Sequence, residues 1–450
     1  MLLCSLDLKL FQPKLLTSFR GYKAKDYISD IVAGVIVSII ALPLSIALAI
    51  ASGATPERGL FTAIIAGLFT ALLGGSKVNI TGPTAAFATI VAGIILTQGL
   101  DGLFLATIMA GIILVLMGVF KFGSLIKYIP HSITVGFTGG IAVTLVIGQL
   151  KDFLGLTYPD GTVAIETIDK LKLVLENIST LNPWALGIGL LGIAILIVWP
   201  KIFKKIPGSL IAVLVGALVC LIPVISVNTI GSLYSISSNL PTFSFPKITG
   251  EKILELLPSA FTIALLAGIE SLLSCVVSDK MVGDTHNPNT ELMALGASNL
   301  LVGCFGGIPA TGAIARTAAN VKNGGKSPLS GMVHAVILLL VLVLLMPLAS
   351  FIPMPIIASI LFIVAYNMSE WREFVAIIKT KKWNDILVLV LTFTLTVIFD
   401  LVKAIAVGLV LHYAIVLVCY LVDRNKAKKQ ADNTQTDEQS DIHNNIDNIN

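Results

Sequence analysis

The sequence predicts an all-α polytopic membrane protein: fourteen transmembrane segments in 7+7 inverted repeats, each repeat holding one half-helix preceded by a short strand. Three observations carry this reading. Of the 450 residues, 56% are hydrophobic and only 12% charged, at a mean hydropathy of +0.93, whereas soluble domains carry about 25% charged residues. Fourteen apolar stretches follow one another, with the Lys and Arg residues between them alternately crowded and sparse. Two stretches broken by Gly and Pro match each other at an offset of seven segments, an odd number, so they enter the membrane in opposite senses.

Residues 1–29 read as a cytoplasmic segment. They carry Lys9, Lys14, Arg20, Lys23 and Lys25 and lack the early apolar core and small-residue cleavage site of a secretory leader. The membrane domain occupies 30–423, with a first repeat over about 30–225 and a second over about 258–421. Its apolar stretches fall at 30–50, 59–73, 83–97, 102–120, 132–150, 183–200, 208–225, 258–278, 290–304, 311–321, 329–346, 354–366, 385–399 and 402–421. With the N-terminus inside and one crossing per stretch, twenty-two of the 30 Lys and Arg residues fall inside. Seven fall outside, namely Arg58, Lys151, Lys170, Lys172, Lys247, Lys252 and Lys403, and Arg316 stays within the membrane. This strong positive-inside bias supports the topology and places both termini in the cytoplasm. The expected location is a bacterial inner membrane. Residues 151–181 and 226–257 then face outward, and the amphipathic run 166–176 is expected to lie on the surface as a short helix. Residues 424–450 are almost wholly polar and are expected to be disordered.

Composition also excludes partners and chemistries. A net charge of +4 is too small and dispersed for nucleic acid. Cys4, Cys220, Cys275, Cys304 and Cys419 have no Cys-x-x-Cys spacing and no nearby His, so they read as small core residues. His131 and His334 stand at helix beginnings and His412 inside the last stretch, as packed or interfacial histidines. Asp400 and Lys403 read as an outer-surface pair, and Asp279, Lys280, Asp284 and His286 as a solvated cytoplasmic loop. No metal-ligand spacing, cofactor motif or nucleophile triad is present, which argues against an enzyme.

The chemistry concentrates in the matched stretches. Ala66-Gly67-Leu68-Phe69-Thr70-Ala71-Leu72-Leu73-Gly74-Gly75 and then Gly82-Pro83-Thr84-Ala85-Ala86 has its counterpart in Gly303-Cys304-Phe305-Gly306-Gly307 and then Gly312-Ala313-Ile314-Ala315. Each is an apolar span closed by Gly-Gly, a short link, and a second helix opened by Gly. The links 77–81 and 308–311 are short and partly β-branched, and are expected to run extended and pair, which satisfies backbone groups that lipid cannot. Two helices starting near the midplane aim their first N–H groups and about half a positive charge each at one point, where an anion is the natural occupant. Thr84, Ala85, Ala86 and Phe87 on one side and Thr311, Gly312, Ala313 and Ile314 on the other are the expected contacts. Small residues here also permit close helix packing, but packing does not account for the short lengths or the repeat.

Arg316 lies one turn beyond Gly312 on the same face. An Arg at membrane depth costs roughly 2.5–3.5 kcal/mol on translocon scales, so it needs an anion or a carboxylate. Glu270, alone among acidic residues within the span 258–278, is the carboxylate expected to pair with it. Such a group either carries a proton with the substrate or, with Ser274 one turn on, supplies oxygens to Na⁺.

At this point the chain resembles the sulfate permease (SulP) family of anion transporters. The resemblance rests on Leu42-Pro43-Leu44-Ser45-Ile46-Ala47-Leu48-Ala49, Gly53-Ala54-Thr55-Pro56-Glu57-Arg58-Gly59-Leu60-Phe61-Thr62, Gly82-Pro83-Thr84-Ala85-Ala86-Phe87, Gly268-Ile269-Glu270-Ser271-Leu272-Leu273-Ser274 and the stretch 306–317. It implies a core domain holding the third and tenth segments as half-helices, a separate gate domain, and elevator-like exchange of the site between the two sides. It also implies a central anion near Arg316, with Ser45 among its contacts and Glu270 at the coupling position. Family members usually carry a C-terminal STAS domain, where this chain has a short polar tail. Na⁺-coupled bicarbonate members tend to have Asp at the Glu270 position and no Arg at the Arg316 position, which favours proton coupling here.

The expected function is secondary active transport of a small anion of the sulfate, bicarbonate or dicarboxylate class, by proton symport. The partners are that anion, H⁺ or Na⁺, the lipid bilayer and a second copy of the chain in a homodimer. The alternatives are Na⁺-coupled bicarbonate uptake, and an anion exchanger or channel of the same fold. A nucleobase carrier of similar architecture would need polar side chains where this chain has alanines.

Overall fold

The computed structural model describes residues 11–19, 21–124, 130–159, 162, 164, 166–203, 206–246, 249–398, 407, 408 and 410–415. Most of the stretch 402–421, the expected disordered tail 424–450, Cys4, Cys419 and the Asp400/Lys403 pair lie outside these residues. A backbone in lipid has to satisfy its own polar groups, and the chain does so as helices. A short α1 (Leu15–Ser18) leads into α2 (Ala24–Ala51) and α3 (Pro56–Leu73). Strand β1 (Thr81–Gly82) and a single 3₁₀ turn (Ala85–Phe87) then open α4 (Ala88–Val119). Inside α4, Gly99 adopts φ 70° and ψ −174°, a conformation only glycine takes without strain. The two limbs it separates are the stretches 83–97 and 102–120.

The first half continues with α5 (His131–Leu154), α6 (Thr167–Glu176), α7 (Pro183–Ile202) and α8 (Gly208–Val219). After α9 (Ile230–Leu233) come α10 (Gly250–Val282), α11 (Pro288–Cys304), β2 (Thr311–Gly312), α12 (Ile314–Lys322), α13 (Leu329–Leu345), α14 (Met354–Met368), α15 (Trp371–Lys379) and α16 (Trp383–Ile398). Every apolar stretch up to 385–399 thus falls on a helix or a limb of α4. Among the described residues, eight helices are long and apolar enough to cross a membrane. Helix α10 starts earlier than the stretch 258–278, because its added turns carry Glu251, Lys252 and Glu255, so hydropathy ends before the helix does.

Helix packing falls into two groups, α2, α3, α4, α10, α11, α12 and α13 on one side and α5, α7, α8, α14 and α16 on the other. Between α4 and α11 the approach is close enough to involve backbone. A Cβ on Gly111 would meet the Gly296 carbonyl at 2.7 Å, and one on Gly296 the Gly111 carbonyl at 2.6 Å. Small residues matter this much because lipid offers no hydrophobic drive between helices and leaves close contact to hold them. Where the groups meet, Ile46, Leu60, Ala85, Ala142, Leu145 and Leu361 share one buried apolar cluster.

Candidate functional site

The site is built around the last residue of each link and the Gly that follows it. Strands β1 and β2 pair antiparallel, Thr81 with Gly312 and Gly82 with Thr311, and the Ala313 N–H extends the ladder to the Ile80 carbonyl at 2.9 Å. Pairing falls at the ends of the links rather than along 77–81 and 308–311, since helix side chains take the remaining backbone groups. Thr317 Oγ1 accepts from Ile80 N at 3.0 Å and Asn320 donates to the Val78 carbonyl at 2.9 Å. Opposite them, Thr62 accepts from Ile308 N at 2.8 Å and Asn299 brackets Ala310 through both its N–H and its carbonyl.

A charged residue in the first turn of the preceding helix anchors each link of the other repeat. Arg58 of α3 donates to the Gly306 carbonyl at 2.6 Å, and Glu291 of α11 accepts from Gly75 and Ser76 N–H at 2.8 and 3.1 Å. Both helices begin with Pro at their first turn, Pro56 and Pro288, where its missing N–H is no loss. Glu291 is only 1% exposed and also accepts from Asn79 Nδ2 at 2.7 Å. Asn79 Oδ1 in turn accepts from Ser274 at 2.8 Å and Thr317 at 2.9 Å. This network ties both links to α10 and α12.

Gly82 and Gly312 stand where no side chain fits. A Cβ on Gly82 would run into the Arg316 guanidinium, and one on Gly312 would meet Asn79 and Ser271 at 2.6 and 2.8 Å. The chain that leaves the ladder starts helices at once. Their leading N–H groups, from Ala85 in one and Ile314 in the other, have no intrahelical partner.

These ends face a cavity of about 260 Å³ whose lining includes Thr84, Ala85, Glu270, Gly312, Ala313 and Arg316. Arg316 is 2% exposed. Its Nη2 donates to the Pro83 carbonyl, while Nε and Nη1 have no hydrogen-bond partner among the described residues. Thr84 donates to Glu270 Oε2 at 2.9 Å. Glu270 and Arg316 line the same space without an ion pair within 4.0 Å, so the direct pair expected from sequence is not formed. Leu44, Leu48, Phe137, Val364 and Met368 give the cavity apolar walls, and Thr134 and Thr138 add hydroxyls. Through Asn367 and Glu370 it adjoins a broad depression bordered by His131, Trp371 and Arg372. His131, outside the cavity itself, lies 3.7 Å from Glu373.

Several expected contacts are elsewhere. Ser274, one turn along α10 from Glu270, is fully buried, bonded to Asn79 and Thr317, and is not part of the cavity lining. Thr311 donates to the Ala267 carbonyl at 2.7 Å, which uses its hydroxyl proton. Ala313 N–H is committed to Ile80, so the free donors of α12 start at Ile314 instead. Ala86 and Phe87 are buried in the apolar cluster between α4 and α10. Ser45 is buried without a hydrogen-bond partner among the described residues and is not part of the lining. His334, expected at a helix beginning, lies within α13, fully buried with neither ring nitrogen partnered among the described residues.

The loop after α10 is also more than solvated. Asp284 pairs with Lys14 at 3.2 Å and Lys77 at 3.0 Å, and His286 Nδ1 lies 2.6 Å from Asp279. Burial alone would raise the Asp284 pKa, but hydrogen bonds from Lys77, the Thr285 N–H and Lys14 outweigh it and hold it at about 2. Cys275 and Cys304 are buried and Cys220 partly so, all as free thiols.

Comparison with known proteins places these features in a family context. Residues 27–392 match the model of the sulfate permease family. A putative sulfate transporter of Bacillus subtilis, YvdB, is 44% identical over 88% of this chain and 74% of its own length. The bicarbonate transporter BicA of Picosynechococcus is 33% identical over 84% of this chain and 68% of its own. The solved transmembrane domain of a cyanobacterial BicA superposes with a TM-score of 0.76 at 30% identity, covering 85% of this chain and 98% of that domain. SLC26A9 shares the fold with a TM-score of 0.82 at 21% identity, over 92% of this chain and 68% of its own.

Proposed function

Because this chain belongs to the sulfate permease family, we propose that it is a secondary active transporter of a small anion of the sulfate, bicarbonate or dicarboxylate class, driven by proton symport. The chain is an anion transporter of the membrane; the coupling and the mechanism are our reading. The observation that carries it is Arg316: a buried guanidinium with two unpartnered nitrogens, lining a cavity into which two helix N-termini open. Leaving a cation so unpaired is costly unless an anion satisfies it in part of the cycle, and helix N-termini add N–H donors and positive potential to the same point.

Glu270 is the proton carrier in this reading. It lines the same cavity, so a proton on its carboxyl lowers the negative charge that an incoming anion meets. The group α2, α3, α4, α10, α11, α12 and α13 carries the site as an elevator-like core, and α5, α7, α8, α14 and α16 form the gate. The cavity adjoins the face bearing α15, which the Lys and Arg distribution assigns to the cytoplasm, so this is an inward-open arrangement. In a bacterial inner membrane both termini then lie inside, and a homodimer is the proposed assembly.

Na⁺-coupled bicarbonate uptake is the second reading; its substrate, though not its coupling ion, is supported by relatives named as bicarbonate transporters. Against it, the Ser274 hydroxyl is engaged by Asn79 and Thr317 rather than turned toward Glu270. An exchanger or channel of the same fold differs in whether flux runs uphill. Uptake of sulfate, bicarbonate and fumarate into proteoliposomes, with pH and Na⁺ gradients imposed independently, tests all of these. Accumulation of one anion under an outside-acid gradient without Na⁺ is expected. Accumulation driven by Na⁺ alone selects the second reading, purely downhill flux selects a channel, and no flux of any of the three overturns the proposal.

A further inference from the structure

The central cavity is bordered by a second carboxylate besides Glu270. Glu370 lines both the cavity and the adjoining depression of about 680 Å³. It stands at the turn between α14 and α15 with φ 45° and ψ 35°, in the left-handed region that side chains other than those of Asn and Asp seldom adopt. Strained positions of this kind cluster at active sites, ligand clamps and switch regions. The side chain is half-buried, and no Lys, Arg or His nitrogen lies within 4.0 Å of its carboxylate among the described residues. His131, which lines the same depression, lies 3.7 Å from Glu373 instead.

The two carboxylates belong to different helix groups. Glu270 rides on α10, in the group that carries the site, whereas Glu370 joins α14 to α15, which packs on α5 and α16. At Glu270, Thr84 donates to Oε2 at 2.9 Å, and Oε1 takes no hydrogen bond from a described residue, so it is the oxygen open to a proton. In a cavity of about 260 Å³ the two carboxylates are a few waters apart. Two carboxylates on one small space disfavour each other's charge, so the pair favours one shared proton over two charges. The other titratable or charged groups of the described residues that share these two spaces are Arg316 of α12, His131 of α5, Tyr366 of α14, and Arg372 and Glu373 of α15.

We propose that Glu370 takes the symported proton from Glu270 while the cavity is open inward, and passes it to cytoplasmic water. This role rests on the proton-symport reading above. The Glu270 O–H bond breaks as one forms on a Glu370 oxygen, directly or through water. Glu370 then loses that proton to water in the depression, and both carboxylates are left ionised. Because Glu370 stays with the gate, a core that carries Glu270 to the other side takes it out of reach, which confines the hand-over to the inward-open arrangement.

Glu370→Gln removes the acceptor and keeps the size of the side chain. Two modes are compared in proteoliposomes, with whichever of sulfate, bicarbonate and fumarate the wild type accumulates. One is net uptake driven by an outside-acid gradient. The other is exchange of labelled for unlabelled anion at equal pH on both sides, which needs no net release of protons. Net uptake is expected to fall at least about tenfold in Glu370→Gln, while the rate and KM of exchange stay within about twofold of wild type. Glu370→Asp, which restores a titrating carboxyl, is expected to regain most of the net uptake. A residue that only holds the turn would slow both modes together, and one that only repels the anion would shift the KM of exchange. Wild-type net uptake in Glu370→Gln, an equal loss in both modes, or a shifted KM of exchange overturns the proposal. A wild type that accumulates none of the three anions under the pH gradient instead overturns the proton-symport reading, and this role with it.

Discussion

Among the described residues, the Arg316 guanidinium leaves water for a single hydrogen bond to the Pro83 carbonyl, and the Glu270 carboxylate shares the same cavity with only Thr84 as a hydrogen-bond donor. Their separation is informative. A closed ion pair would neutralise the site, whereas two groups lining one space without touching leave room for an anion at one and a proton at the other. In this account Glu270→Gln removes the titrating proton but keeps a side chain of the same shape beside Thr84. Uptake driven by an outside-acid gradient is expected to be abolished, while anion binding at equilibrium persists. Wild-type dependence on the pH gradient in that variant would remove Glu270 from the coupling step. Both residues were legible from sequence because a charge stands out in an apolar run. Asn79, Glu291 and Thr317 were not, since each lies among ordinary polar residues and acquires its role from partners far away in the chain.

At the scale of elements, the links and the helices that hold them matter most. Glu291 fixes the first link with two backbone N–H groups, and Arg58 fixes the second by its carbonyl. Hydrogen bonds to a charged group contribute about 1.5–3 kcal/mol each. Glu291→Gln turns an acceptor into a donor against N–H groups, so an apparent stability loss of about that size is expected, read as a lower melting temperature in detergent. An unchanged melting temperature would mean the link is held by the ladder and Asn79 alone.

The N-terminal segment is tied down similarly, by Lys14 to Asp284. The Asp284 pKa is held at about 2, below the ordinary value of about 3.9. Its contribution is therefore complete above about pH 4 and lost as pH falls toward 2. Residues 11–19 are expected to become open to proteolysis over that window, and at neutral pH in Asp284→Asn. Equal cleavage of wild type and variant at neutral pH would show that the pair does not hold the segment. The sequence made the repeat visible because Gly-Gly and the Gly-opened helices recur. It did not reveal where the strands pair, because the side chains of Thr62, Asn299, Thr317 and Asn320 decide which backbone groups remain for the ladder.

Across the whole molecule, two helix groups meet along an apolar seam, and Ala85 of that seam borders the cavity. Hydropathy and the placement of Lys and Arg were enough to read the helices and their order, because the bilayer leaves a buried backbone few alternatives. Thr311 and Ser274 were misjudged because sequence marks a hydroxyl as polar but not which carbonyl or amide has already taken it, and Ser45 because sequence does not show that its side chain lies outside the cavity lining. The central claim is that the two half-helix ends and Arg316 together bind the transported anion. Its most direct test is the dissociation constant of that anion for purified wild type and Arg316→Ala, at one salt concentration and pH. A weakening of at least about tenfold in a variant that remains folded is expected, as a charged hydrogen-bond donor is lost. An unchanged dissociation constant would contradict the account.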